Sequence, residues 1–110
     1  MTPERLVTDA IYTVLFGADG DTLRQRLGLP AEDTPDDDRL RDEMSERALR
    51  YLAAVEHGMT TWLRLEPHAT PLAISAAASR IAAWYATDLR ASCEREQVDI
   101  VTGKPLEGGR

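Results

Sequence analysis

Residues 70–98, TPLAISAAASRIAAWYATDLRASCEREQV, decide the fold class. Thr70 carries a side-chain oxygen suited to capping a helix, and Pro71 suits the first helical position. Ile74, Ala77, Ala78, Ile81, Trp84, Tyr85 and Leu89 recur at helical spacing and draw one apolar stripe. The alanines at 76, 77, 78, 82 and 83 propagate helix and let a neighbouring helix come close. The spacing predicts a helix from Thr70 to about Val98, with Trp84 on its buried face.

Toward the N-terminus the same period continues between Pro and Gly breaks. Thr2, Pro3 and Glu4 read as the start of a helix whose stripe is Leu6, Val7, Ala10, Ile11, Val14 and Leu15, ending at Gly17. A short helix follows, with Asp21 as its cap, Leu23 and Leu27 on one face and Gly28 as its stop. The acidic loop PAEDTPDDD (30–38) leads into a long helix starting near Asp36–Asp38, whose carboxylates suit the positive end of a helix dipole. Its stripe of Leu40, Met44, Ala48, Tyr51, Leu52, Val55, Met59, Trp62 and Leu63 stays in phase across Gly58. Gly58 therefore reads as a close-packing site or weak point within one helix, with a stop near Glu56 as the alternative, since Gly costs about 1 kcal/mol against Ala. The tail DIVTGKPLEGGR (99–110) has turn chemistry and no period, and no stretch alternates as a strand would. The expected fold is all-α: a single domain over 1–98 with about four helices, two of them long, and an irregular tail over 99–110.

Composition sets the outer limits. The 110 residues carry 13 Lys+Arg against 19 Asp+Glu, a net charge of −6, with 43% hydrophobic residues. That apolar content suits one folded domain rather than a disordered chain. Net acidity argues against non-specific binding to nucleic acid or to an anionic membrane surface. No apolar run approaches a membrane span, and MTPERLVTDA does not read as a signal peptide. One cysteine, Cys93, excludes an internal disulfide and suits a reducing cytoplasm.

The residues offer little catalytic chemistry. His57 and His68 lack the spacing of a metal pair, so no metal and no cofactor is expected. Cys93 falls late in a helix, where the dipole disfavours a thiolate, and it reads as a packing residue. GADGDTL has two glycines but no lysine and no preceding strand, so it is no phosphate loop. DTPDDDRLRDEM lacks the central Gly of a calcium loop. The two tryptophans, Trp62 and Trp84, read as core or helix-interface residues; either one, if exposed, becomes a partner anchor. Acidity is concentrated: residues 32–47 hold eight acids against Arg39, Arg41 and Arg47, a net −5, while the rest is near neutral. Such a localised charge can steer a basic protein partner to one place. The candidate partner-binding residues are Asp36, Asp37, Asp38, Arg41, Asp42, Glu43 and Glu46.

Three segments, AIYTVLFGADGDTLRQRLGLP (10–30), DRLRDEMSERAL (38–49) and AAVEHGMTTWL (53–63), carry a resemblance. They resemble the C-terminal region of phage antirepressor-type proteins, the BRO and DNA-damage-inducible protein D group. The matching residues are Ile11, Tyr12, Phe16, Gly17, Leu23, Arg24, Gly28, Leu40, Arg41, Asp42, Met44, Leu49, Glu56, Thr60 and Thr61. VTGKPLEGG (101–109) is similar to the ending of the same region. This chain departs from it in having Glu43 where that group has His, a longer acidic loop, an Ala-rich helix in place of a Gly- and Lys-rich stretch, and no DNA-binding-type domain. The resemblance implies no catalytic residue, and DNA binding does not carry over.

A second resemblance competes. Leu23, Leu27, Leu29, Asp36, Asp37, Asp38, Leu40, Pro71, Ala77, Trp84 and Tyr85 match the pattern of phage head–tail connector proteins. That pattern implies a ring-forming virion subunit, a homo-oligomer. The preferred expectation is a non-enzymatic protein-interaction module of phage or mobile-element origin. It would act in the host cytoplasm, regulating or inhibiting a host protein through its acidic loop and helix. The connector is the alternative, and a small enzyme the third.

Overall fold

The computed structural model describes residues 3–30 and 39–106, with side chains from Arg5 onward. Helix α1 spans Pro3–Phe16. At its end Gly17 adopts φ +85° and its N–H donates to the Thr13 carbonyl. Helix α2 spans Gly20–Arg26. Its cap is Asp19, whose carboxylate accepts from the Thr22 N–H at 2.9 Å, and not the expected Asp21. Asp21 lies one residue inside, where its carboxylate pairs instead with Arg5 at 2.7 Å. Gly28 (φ +72°) closes α2: its N–H donates to Gln25, and that of Leu29 reaches back to Arg24.

The long helix expected from the acidic loop onward is broken. Helix α3 is a single turn, Arg39–Asp42, and helix α4 begins afresh at Glu46–Leu65. Ser45 makes the break by accepting from the Ala48 N–H at 3.0 Å through its hydroxyl, while its own N–H donates to the Val101 carbonyl at 2.9 Å. Leu40, Met44 and Ala48 are all buried on both sides of it, so the apolar period runs on as though the backbone did. Gly58 lies inside a continuous α4. A Cβ there would stand 3.0 Å from Ile81 Cγ2, so the missing side chain lets α4 close on the next helix.

Helix α5 spans Pro71–Glu96, capped by Thr70 at its start and by left-handed Gln97 at its end. It is the central element: α1 and α4 both pack along it, and α2 packs on α1 and α3. The core joins Ile11, Leu15 and Phe16 of α1 to Leu52, Val55 and Met59 of α4 and to Ile81, Leu89 and Cys93 of α5. Residues 98–106 fold back over this assembly. Val98 and Pro105 form an isolated antiparallel bridge, Asp99 caps the turn by accepting from the Val101 and Thr102 N–H groups, and Val101 is buried. Among the described residues there is no β-strand, and the fold is a small all-α domain. No described helix is long and apolar enough to cross a membrane.

One face was misassigned by periodicity. Trp84 is 74% exposed, although the stripe placed it inside. The buried face of α5 over its second half is Ala82, Ala86, Leu89 and Cys93. Trp84 stands two positions from both alanines, about 200° round the helix from each. The small side chains leave room for a close helix contact and none for an indole. Trp62, by contrast, is half-buried against the core.

Candidate functional site

The acidic segment starts as sequence and becomes a surface where α3 turns into α4. Asp36, Asp37 and Asp38 lie outside the described residues. Of the other candidates, Asp42, Glu43 and Glu46 are exposed and fall together around the Ser45 cap. The Glu46 carboxylate accepts from Arg50 at 2.8 Å across one exposed helical turn.

Arg41 has a different position. Its guanidinium donates two hydrogen bonds to the Glu56 carboxylate of α4, at 3.4 and 2.8 Å. The Arg41 guanidinium also stands near the Tyr12 phenol of α1, so it lies where three helices meet. The Glu56 hydrogen bond, ahead of the opposing effect of burial, holds the Arg41 pKa above its usual value. Burial pushes the Tyr12 phenol upward, against the lowering influence of the neighbouring Arg41.

Arg47 is committed in the same way. It donates to Glu96 of α5 at 2.6 Å and approaches the Cys93 sulfur at 3.7 Å. The Arg47 hydrogen bond holds the Glu96 carboxyl below the usual carboxylate range. Cys93 itself is buried. Arg47 comes to it from 46 positions away in the chain.

These pairings change the local charge. Residues 32–47 counted Arg41 and Arg47 against the acids, yet both cations are used by Glu56 and Glu96 from outside the segment. Asp42 and Glu43 thus face solvent beside cations whose charge is already matched elsewhere.

A second feature was not legible in the sequence. A groove of about 480 Å³ lies where α4 begins and α5 ends, lined by Ser45, Arg47, Arg50, Tyr51, Ser92 and Glu96 among others. It is open to solvent, lined about equally by polar and apolar surface, and adjoins the acidic edge through Glu46. Residues far apart in the chain build it, and no local pattern marks them. Among the described residues, no three His, Cys, Asp or Glu side chains converge as metal ligands would. His57 and His68 are both exposed and stand on α4 and in the α4–α5 turn.

The chain matches no known family model, no curated protein and no solved structure.

Proposed function

We propose that this chain is a non-enzymatic protein-interaction module whose acidic edge, at the α3–α4 junction, docks on a basic surface of a protein partner. One observation carries the reading: Asp42 and Glu43 are exposed while Arg41 and Arg47 beside them are neutralised by Glu56 and Glu96. Asp42 and Glu43 therefore keep their charge unmatched by these two arginines, while Glu46 is matched by Arg50. A localised potential of this kind raises association rates and selects for complementary charge. The antirepressor-type motifs add the biological setting, a regulator or inhibitor of a host protein encoded by a phage or mobile element and acting in the host cytoplasm.

The test is capture of a partner from host lysate by the tagged chain and by a charge-reversed variant, Asp36→Lys, Asp37→Lys, Asp38→Lys, Asp42→Lys and Glu43→Lys. Circular dichroism checks that the variant keeps its helices. Capture is expected to fall with the variant and with rising salt. Equal capture by both proteins at all salt concentrations rejects the acidic edge. Assembly into a closed ring of many copies favours the head–tail connector over the regulator.

A further inference from the structure

Helix α5 buries one side against α1 and α4 and leaves the other uncovered for most of its length. The uncovered side carries Ala73, Ala76, Ala83 and Ala91, with Leu72 81% exposed and Trp84 74% exposed. An isolated exposed leucine is ordinary, but a tryptophan set among small residues along a helix face is the anatomy of an interface anchor. We infer that this face pairs with the same face of a second copy, α5 against α5 in antiparallel order, about a two-fold axis between Ala83 and Trp84.

Charge selects that occupant. Arg80 and Asp88 are exposed four residues before and four residues after Trp84. No oppositely charged residue stands three or four positions from either one along the helix. Neither takes part in an ion pair among the described residues. A two-fold axis between residues 83 and 84 sets Arg80 of each copy opposite Thr87 and Asp88 of the other, so two symmetric ion pairs flank the centre. The same axis sets each Trp84 over Ala83 of the second copy, and Ala76 opposite Ala91. Large side chains meet small ones, and the backbones can approach closely. Parallel pairing in register would instead put Arg80 against Arg80 and Asp88 against Asp88. The 26 residues of α5 make a strip about 39 Å long. At the roughly 10–12 Å width of a helix it covers roughly 400–470 Å² per copy, about half the ~800 Å² of a standard interface, so a weak dimer that forms with rising concentration is expected. This inference is independent of the acidic edge, which lies on α3 and the start of α4.

Light scattering on the full chain after size exclusion, over a range of concentrations, tests it. The wild type is expected at twice 12.2 kDa. Trp84→Glu is expected to run at the monomer mass with an unchanged far-ultraviolet spectrum. Arg80→Asp and Asp88→Arg are each expected to weaken the dimer about tenfold or more, since each faces like charges across the axis. Mixed in equal amounts, the two single variants are expected to form a heterodimer as tight as the wild type, because both of its cross-axis contacts are then opposite in sign. If Trp84→Glu loses its helices, the exposed charge variants carry the test alone. A wild-type monomer at high micromolar concentration, a ring of more copies, or a dimer indifferent to the charge variants overturns the inference. Loss of the dimer with partner capture retained leaves the acidic-edge reading standing.

Discussion

The Arg41 guanidinium grips the Glu56 carboxylate through both of its terminal nitrogens, fixing the one-turn helix α3 to the long helix α4. The pair is partly exposed, with the two side chains 38% and 43% accessible, so water screens it. Its own contribution is therefore modest, but Arg41 also lies beside the buried Tyr12. Glu56→Gln is expected to cost about 0.5–1 kcal/mol. Arg41→Ala is expected to cost more, about 1–3 kcal/mol, because it also removes the polar neighbour of a buried phenol. Urea unfolding of both variants checks the order. An Arg41→Ala protein no less stable than Glu56→Gln would show that Tyr12 does not depend on it.

Tyr12 makes stability depend on alkaline pH. Burial raises its pKa above the ordinary value of 10.0. As pH climbs through that ordinary value, the unfolded chain releases the phenol proton first, and the folded chain still holds it. Protonated phenol thus contributes stability that is complete below about pH 10 and is lost as pH rises toward the folded pKa. The melting temperature is expected to fall more steeply above pH 10 in the wild type than in Tyr12→Phe. Parallel curves for the two proteins would reject this origin.

Gly58 sets two effects against each other. Alanine at a helix interior gains about 1 kcal/mol over glycine. Its Cβ would stand 3.0 Å from Ile81 Cγ2, and a β-branched side chain on a helix has little rotamer freedom to retreat. Gly58→Ala alone is expected to lower the melting temperature. In an Ile81→Leu background, which removes the Cγ2 methyl, the same change is expected to raise it. Thermal melts of the four proteins of this cycle read the sign directly.

Ser45 and Gly103 join the α4 cap to the folded-back tail. Gly103 has φ +71°, and a Cβ there would meet Ser45 Cβ at 2.8 Å. Left-handed backbone costs a non-glycine residue about 1–2 kcal/mol before any clash. Gly103→Ala is expected to loosen residues 98–106 and raise amide exchange there, while α1 stays protected. Ser45→Ala is expected to cost about 1 kcal/mol through the lost cap. Equal exchange across the tail in wild type and Gly103→Ala would show that this contact does not hold it.

The sequence by itself determined where most helices begin and end, because those signals act within a turn. Thr70 with Pro71, Gly17 and Gly28 each do locally what their chemistry requires. It also determined that the acids cluster between 32 and 47, which is a matter of counting. It did not determine the break at Ser45, since Leu40, Met44 and Ala48 keep helical phase through a backbone that does not. That break rests on Val101, which lies 56 positions later and supplies the carbonyl for the Ser45 N–H. Nor could it say which side of α5 is inside. A helix rich in alanine has several apolar faces of similar strength, and α1 and α4 together chose the smallest side chains and left Trp84 out. Which carboxylates Arg41 and Arg47 meet was likewise decided in three dimensions, by the approach of Glu56 and Glu96 from distant helical positions. Local sequence fixes what a residue can do within one helical turn. Only the packing of distant segments decides which partner it meets.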